Sequence, residues 1–230
     1  MNTLNTLIAL FQADPAALLI AAGAVIVSAY LIGSVCFAVP VCRLFFHGDV
    51  YNTGSQDAGA ANVLSSFGFG AALLTFIGDV GKGAGAVALG QYLFETLCGG
   101  AAVYGGWLAA LFVVFGHVLP VFFRFRGGKG LLPAFGALLI ADPSAALLTG
   151  IVFIAVCLLT HYASAASVCA AAAMPVIVGV LWSSRNHPDW TAVTVVSVLM
   201  ALMILLRHRV NLRRLLTGAE KPISVKRRLP

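Results

Sequence analysis

The chain has 230 residues, of which 60% are hydrophobic and only 10% are charged. Its mean hydropathy of +0.99 excludes a water-soluble globular domain, because such a domain needs a polar surface around its core. The formal net charge is +6 at pH 7. These values predict an all-α integral membrane protein that forms one polytopic domain over residues 1–230.

Apolar runs follow one another along almost the whole chain, and a helix needs roughly 20 residues to cross a bilayer. The predicted segments lie near residues 16–46, 68–94, 99–122, 131–141, 144–160, 162–182 and 191–206. The fourth is too short to cross alone, so the turn at Asp142 either lies in the outer leaflet or belongs to a hairpin that only re-enters. The first case gives seven crossings and the second gives six.

The distribution of basic residues favours seven crossings. In that arrangement every lysine and arginine except Arg185 lies at one face, which the positive-inside rule assigns to the cytoplasm. Six crossings would place the cations from Arg207 to Arg228 on the opposite side. We therefore expect the N-terminus outside, and the polar loops and C-terminus in the cytoplasm. A basic tail over residues 207–230 would contact anionic lipid headgroups rather than nucleic acid.

The first polar cluster spans residues 47–62 and is rich in glycine and small polar residues. Such turns let backbone N–H groups converge on a phosphate or another oxyanion. A plain connection between two helices has the same composition. This cluster alone does not decide between an anion site and a simple loop.

The second cluster, Gly127-Gly128-Lys129-Gly130, precedes an apolar segment. It predicts a flexible cationic turn at a helix N-terminus, where free N–H groups and the helix dipole favour an anion. Anchoring at the cytoplasmic face would explain the nearby Arg124 and Arg126 but not the three glycines. The spacing differs from that of a nucleotide-binding Walker loop.

The third cluster follows the last apolar segment. His208 and Asn211 are three residues apart, so on a helix they share one face and are able to point into a common site. A solvated basic collar is the alternative interpretation. Ser164 lies at a turn on the same side, where its hydroxyl either reaches a ligand or bonds to a helix carbonyl.

Two patterns near the start of the second segment concern packing. Asp79 and Lys82 are three residues apart, and an ion pair between them would make both charges tolerable inside a helix bundle. Gly81 and Gly85 have the GxxxG spacing that favours close contact between helices. The five cysteines have no metal-ligand spacing, so we expect small buried side chains and no metal site.

Four stretches, in this order along the chain, resemble the bacterial acyl-phosphate glycerol-3-phosphate acyltransferases (PlsY). They are Gly78-Asp79-x-x-Lys82-Gly83, Gly116-His117-x-x-Pro120 with Phe125-x-Gly127-Gly128-Lys129-Gly130, the Ser164 and Ser167 turn, and His208-x-x-Asn211-x-x-Arg214-Leu215-x-x-Gly218-x-Glu220. The resemblance covers nearly the whole chain and implies a polytopic protein of the inner membrane.

The first cluster departs from the family's pattern, which has an acidic-hydrophobic-Arg opening, then GSGNxGATN, then an Arg three positions later. Here the two arginine positions hold Tyr51 and Ser65. Within the core, Gln56 replaces Gly, Asp57 replaces Asn and Ala61 replaces Thr. A neutral serine binds phosphate less strongly than a guanidinium does, and Asp57 adds a negative charge near the expected phosphates.

The resemblance implies transfer of a fatty acyl group from acyl phosphate to the 1-hydroxyl of glycerol 3-phosphate, which gives lysophosphatidic acid for phospholipid synthesis. It implies no cofactor, no direct use of CoA or acyl carrier protein, and a monomer. The alternatives are a diverged relative with another acceptor or donor, and a non-catalytic lipid-binding protein.

The same resemblance gives roles to residues in all of the polar clusters. It assigns phosphate binding to Gly127, Gly128, Lys129 and Gly130, further substrate contacts to Asn62, Lys82 and Ser164, and catalytic roles to Ser55, His208 and Asn211. Chemically, an activated acyl phosphate needs mainly positioning and charge neutralisation rather than a covalent nucleophile.

Overall fold

The computed structural model describes residues 3–223, so residues 224–230 of the predicted basic tail lie outside the described residues. Within this range the chain forms α-helices, two short 3-10 helices and loops, without a β-strand. The helices are α1 (Thr3–Ala13), α2 (Pro15–Ser34), α3 (Ala38–Phe46), α4 (Ala60–Phe67), α5 (Phe69–Cys98), α6 (Ala102–Val118), α7 (Leu131–Ala141), α8 (Pro143–Thr160), α9 (Ala163–Ser184), α10 (Trp190–Arg207) and α11 (Arg209–Leu216). The all-α prediction is confirmed.

Six helical stretches of the described chain are long and apolar enough to cross a membrane. The first combines α2 with α3, and the others are α5, α6 with the 3-10 turn after it, α8, α9 and α10. The remaining predicted segment, α7, has only 11 residues and therefore rises about 16 Å, roughly half of a hydrocarbon core. It is nevertheless deeply enclosed, since Ala134, Ala137 and Leu138 are buried and α7 packs against α5, α6 and α8.

The turn between α7 and α8 is fixed by Asp142, which is 3% exposed. Its carboxylate accepts hydrogen bonds from the backbone N–H groups of Ser144 and Ala145, and so caps α8. It also accepts from the Trp182 indole at 2.8 Å and from Arg185 at 3.0 Å, near the end of α9. The α7–α8 turn therefore lies at the same level as the end of α9.

The polar loops meet at the opposite ends of these helices. Asp57 pairs with Lys129 at 3.0 Å, Arg207 donates to the carbonyl of Gly127, and the backbone N–H of Ile223 donates to the carbonyl of His161. Thus α7 leaves this face and α8 returns to it. This geometry agrees with seven passes of the chain, of which the fourth is short.

The first predicted segment, 16–46, is not one helix, because the chain breaks between α2 and α3 at Val35 to Phe37. The break leaves carbonyls without helical partners, and the buried Lys82 ammonium supplies donors to the carbonyls of Gly33 at 3.0 Å and Val35 at 2.6 Å. Asp79 pairs with Lys82 at 2.8 Å and accepts a long hydrogen bond from the Phe37 N–H at 3.5 Å. The predicted Asp79–Lys82 ion pair is confirmed, and it closes a gap in the neighbouring helix.

Close contacts between the helices depend on glycines other than the predicted pair. A Cβ atom at Gly81 or Gly85 would meet nothing within 4 Å, and both positions face away from the neighbouring helices. The prediction that this pair packs closely is therefore wrong. Other positions of α5 make the contacts instead, because a Cβ at Gly83 would strike the Pro133 carbonyl of α7 and one at Gly90 would strike the Gly105 carbonyl of α6.

Candidate active site

The loop between α3 and α4 is organised by the side chain of Asn62, which is 3% exposed. Its amide nitrogen lies within hydrogen-bonding distance of the carbonyls of Val50, Thr53 and Asp57, at 3.0–3.1 Å. Its oxygen accepts from the Ser55 N–H at 2.9 Å. Asn62 therefore uses its hydrogen bonds to fold the loop around itself.

The tip of this loop is exposed and partly strained. Ser55 is exposed, and Gln56 adopts a left-handed backbone with φ of 60°. A side chain in this region costs roughly 1–2 kcal/mol more than glycine does. The glycine of the family's pattern is thus the residue that suits this position, and Gln56 is held there against its preference.

The loop between α6 and α7 needs each of its glycines for a separate reason. A Cβ at Gly127 would strike the His117 carbonyl, and one at Gly128 would strike the His117 ring and the Ala58 carbonyl. Gly130 caps α7 with φ of 89°, a conformation that glycine adopts without strain. The predicted flexible turn is in fact tightly packed, with Lys129 as its partly exposed cation.

Arg207, at the end of α10, holds this turn from the other side. Its guanidinium donates to the carbonyls of Gly128 at 3.2 Å and Gly127 at 2.8 Å. From the sequence, Arg207 is expected only among the cations of the cytoplasmic collar. The sole signal in the sequence is its position immediately before His208, which does not reveal a partner 80 residues away.

The first two loops meet through an ion pair. The Asp57 carboxylate lies 3.0 Å from the Lys129 ammonium, and the two side chains are 30% and 21% exposed. Asp57, which departs from the family's pattern, is therefore paired with Lys129, the residue to which phosphate binding is assigned. Because both groups still reach solvent, an arriving anion is able to displace the carboxylate.

The charges of Asp57 and Lys129 both act on the imidazole of His208, which is 2% exposed. Its Nδ1 is 2.8 Å from the Ile204 carbonyl, so Nδ1 carries the hydrogen and Nε2 keeps a lone pair. Burial is the largest cause that lowers the pKa of His208, and the nearby Lys129 charge lowers it further. The ring is therefore neutral at pH 7 and presents a hydrogen-bond acceptor.

Two further predicted site residues are buried: Asn211 lies in α11 and Ser164 lies in the first turn of α9. Asn211 is 7% exposed, and its amide donates to the Glu220 carboxylate at 2.8 Å, which folds the chain after α11 back towards the site. Ser164 is also 7% exposed, and its hydroxyl has no hydrogen-bond partner among the described residues. The Ser164 oxygen is itself buried, so it is an unsatisfied polar group near the start of α9.

Lys82 lies in the interior of the helix bundle, whereas Lys129 lies in the glycine-rich turn between α6 and α7. Besides Asp79 and the two carbonyls, its ammonium contacts Nδ1 of His117 at 2.8 Å. The His117 backbone carbonyl accepts from the Gly128 N–H at 3.1 Å. Lys82 is 6% exposed and already has these four partners, so it supports the turn from the bundle interior.

Comparison with known proteins gives the same family over most of the chain. The family model described as glycerol-3-phosphate acyltransferase matches residues 23–218. A protein named glycerol-3-phosphate acyltransferase from Burkholderia thailandensis is 40% identical over 201 residues, which are 87% of this chain and 95% of the relative. One of the same name from Bordetella pertussis is 39% identical over 213 residues, or 91% of this chain and 95% of the relative.

Solved structures agree with the sequence comparison. The crystal structure of PlsY, an integral membrane glycerol 3-phosphate acyltransferase, in its glycerol 3-phosphate form has a TM-score of 0.75 and 30% identity. The match covers 88% of this chain and 96% of that one. The lysophosphatidic acid form has a TM-score of 0.72, also at 30% identity. The chain therefore belongs to the glycerol-3-phosphate acyltransferase family.

Proposed function

We propose that this protein is a membrane acyltransferase that moves a fatty acyl group from acyl phosphate to the 1-hydroxyl of glycerol 3-phosphate, giving lysophosphatidic acid for phospholipid synthesis. The observation that carries the proposal is the meeting of three distant polar segments around Lys129. Asp57 pairs with it, Arg207 holds the glycines before it, and its charge acts on His208. A cationic site at a membrane face suits two anionic substrates, one of which carries an acyl chain.

In this reaction the acceptor hydroxyl oxygen forms a bond to the acyl carbon, and the bond from that carbon to the phosphate oxygen breaks. The hydroxyl proton ends on the departing phosphate, so no covalent enzyme intermediate is needed. Lys129 would bind a substrate phosphate, and the Nε2 lone pair of His208 would orient the acceptor hydroxyl. Ser164 would supply a further hydrogen bond.

The contacts support different roles for the other residues named from the sequence: some support the structure of the site, and one is exposed to substrate. Asn62 and Asn211 use their amides within the protein, which fits shaping of the two loops rather than contact with substrate. Lys82 fits a supporting role in the bundle. Ser55 is exposed at the loop tip, where it is able to close over a bound phosphate.

We further propose that the face with Lys129 is cytoplasmic, that the N-terminus lies outside the inner membrane, and that a monomer is sufficient for activity. The large excess of basic residues at this face supports the orientation.

The test is release of inorganic phosphate by the purified protein in lipid, supplied with acyl phosphate and glycerol 3-phosphate. We expect release that depends on both substrates, with Lys129→Ala reducing it at least about a hundredfold and Arg213→Gln, an exposed cation of α11, leaving it near wild type. Equal turnover by Lys129→Ala would contradict the phosphate assignment. No release from the wild-type protein, beside an active PlsY control, would contradict the function.

A further inference from the structure

A polar cleft lies beside the site and has no part in the proposed reaction. Its volume is about 410 Å³, and its lining includes Arg43, Asp49, Tyr51, Arg124 and Arg126. Three arginines and one aspartate leave a formal charge of +2. Arg43 pairs with Asp49 at 3.5 Å, whereas Arg124 and Arg126 have no carboxylate partner within residues 3–223.

Tyr51 fixes one of these arginines in place. The Arg126 guanidinium lies 4.6 Å from the centre of the Tyr51 ring, and the Tyr51 hydroxyl donates to the Arg126 carbonyl. Tyr51 stands where the family's pattern has an arginine. Asp49 is the only anionic side chain at neutral pH among the described residues that line the cleft.

The backbone that carries the arginines after α6 is strained. Arg124 and Phe125 are consecutive residues with left-handed φ values of 52° and 58°. Neither is glycine, so this conformation is costly, and the Phe125 N–H bond to the Pro120 carbonyl at 2.9 Å helps to hold it. Simple anchoring of cations at a membrane surface needs no such turn, because long side chains reach headgroups from any backbone conformation.

Apolar side chains near the cleft are exposed. Leu44 and Phe45 are 69% and 67% exposed, and Phe122 and Phe125 are each 57% exposed. A cationic cleft with an apolar rim is complementary to an amphiphile, whereas a free phosphate would gain nothing from the rim. We infer that this cleft binds the phosphate headgroup of an anionic membrane phospholipid, with the lipid chains lying against the exposed side chains.

The test measures lipid retention without turnover, so its outcome is independent of the acyltransferase proposal. The full chain is placed in nanodiscs of equal parts phosphatidylglycerol and phosphatidylcholine, extracted, and analysed by native mass spectrometry. We expect the wild-type protein to retain phosphatidylglycerol selectively. The double variant Arg124→Gln, Arg126→Gln should retain it about tenfold less strongly. The control Arg185→Gln, which removes a half-exposed cation at the opposite ends of the helices, should match wild type.

Each other outcome also decides the matter. Equal retention by the double variant and by wild type would overturn the proposal. Displacement of phosphatidylglycerol by inorganic phosphate, but not by chloride at equal ionic strength, would show a free-phosphate site and overturn the lipid assignment. If the double variant does not fold, Arg43→Gln, whose side chain is 54% exposed, must weaken retention, and unchanged retention would refute the inference.

Discussion

The ion pair between Asp57 and Lys129 predicts that this enzyme binds its anionic substrates less tightly than relatives with asparagine at that position. The carboxylate and the ammonium lie 3.0 Å apart. A substrate phosphate that binds Lys129 must first break this pair. The substitution Asp57→Asn removes the competing charge and keeps the size of the side chain.

The magnitude follows from the distance and the exposure of the two groups. Coulomb's law at 3.0 Å gives about 1.4 kcal/mol in water and about 5.5 kcal/mol at an effective dielectric constant of ~20. Exposed pairs measured by mutation are worth only ~0.2–1 kcal/mol, and these side chains are partly exposed. We take ~1 kcal/mol, which corresponds to an increase in affinity of about fivefold.

The assay is phosphate release measured against the concentration of each substrate in turn. We expect Asp57→Asn to lower KM for at least one anionic substrate by about fivefold, with a smaller change in kcat. Glu95→Gln is the matched control, because it removes an exposed carboxylate that forms no ion pair within the described chain. Unchanged KM values for both substrates, or a rise in either with no fall in the other, would refute the reasoning.

Three further predictions concern the residues around this pair. Gln56→Gly should raise the free energy of unfolding by about 1 kcal/mol, measured by thermal unfolding in detergent, because φ at this position is 60°. Arg207→Lys should lower kcat/KM by about tenfold while Arg209→Lys has little effect, because lysine cannot donate to the carbonyls of Gly127 and Gly128 in the same forked geometry. For His208 the folded pKa lies below its ordinary value of 6.5, so the unfolded chain binds more protons in that interval and stability should fall as pH drops below about 6.5. His208→Gln should flatten this pH dependence, and a slope that is the same in both proteins would contradict it.

Much of the fold could be predicted because hydropathy and basic residues act locally. Apolar runs of about 20 residues locate the long helices, and the one-sided cations indicate which loops share a face. The contacts between helices could not be predicted in the same way. A GxxxG pattern gives a spacing but not a direction, so it points to Gly81 and Gly85 although Gly83 makes the contact.

The candidate site was predictable only in part. The three glycines and Lys129 could be recognised, because anchoring at a membrane surface requires cations but no run of glycines beside them. The role of Arg207 could not be, since it depends on two carbonyls that are distant in sequence. Likewise the break between α2 and α3 has no strong signal of its own, because the donor that makes it tolerable is Lys82, on another helix.

The buried charges explain why a tight turn is able to sit on a membrane-embedded bundle. Asp79 and Lys82 neutralise each other, and Lys82 extends the network to His117, whose carbonyl bonds to Gly128. Removal of either charge would leave the other buried without its oppositely charged partner, which usually costs ~3–5 kcal/mol. Loss of the Lys82 ammonium would also remove its hydrogen bonds to the break between α2 and α3 and its contact with His117, which supports the glycine turn. The charges inside the bundle and the anion site at its face are thus one connected structure, and a neutral replacement of Lys82 should impair insertion and phosphate binding together.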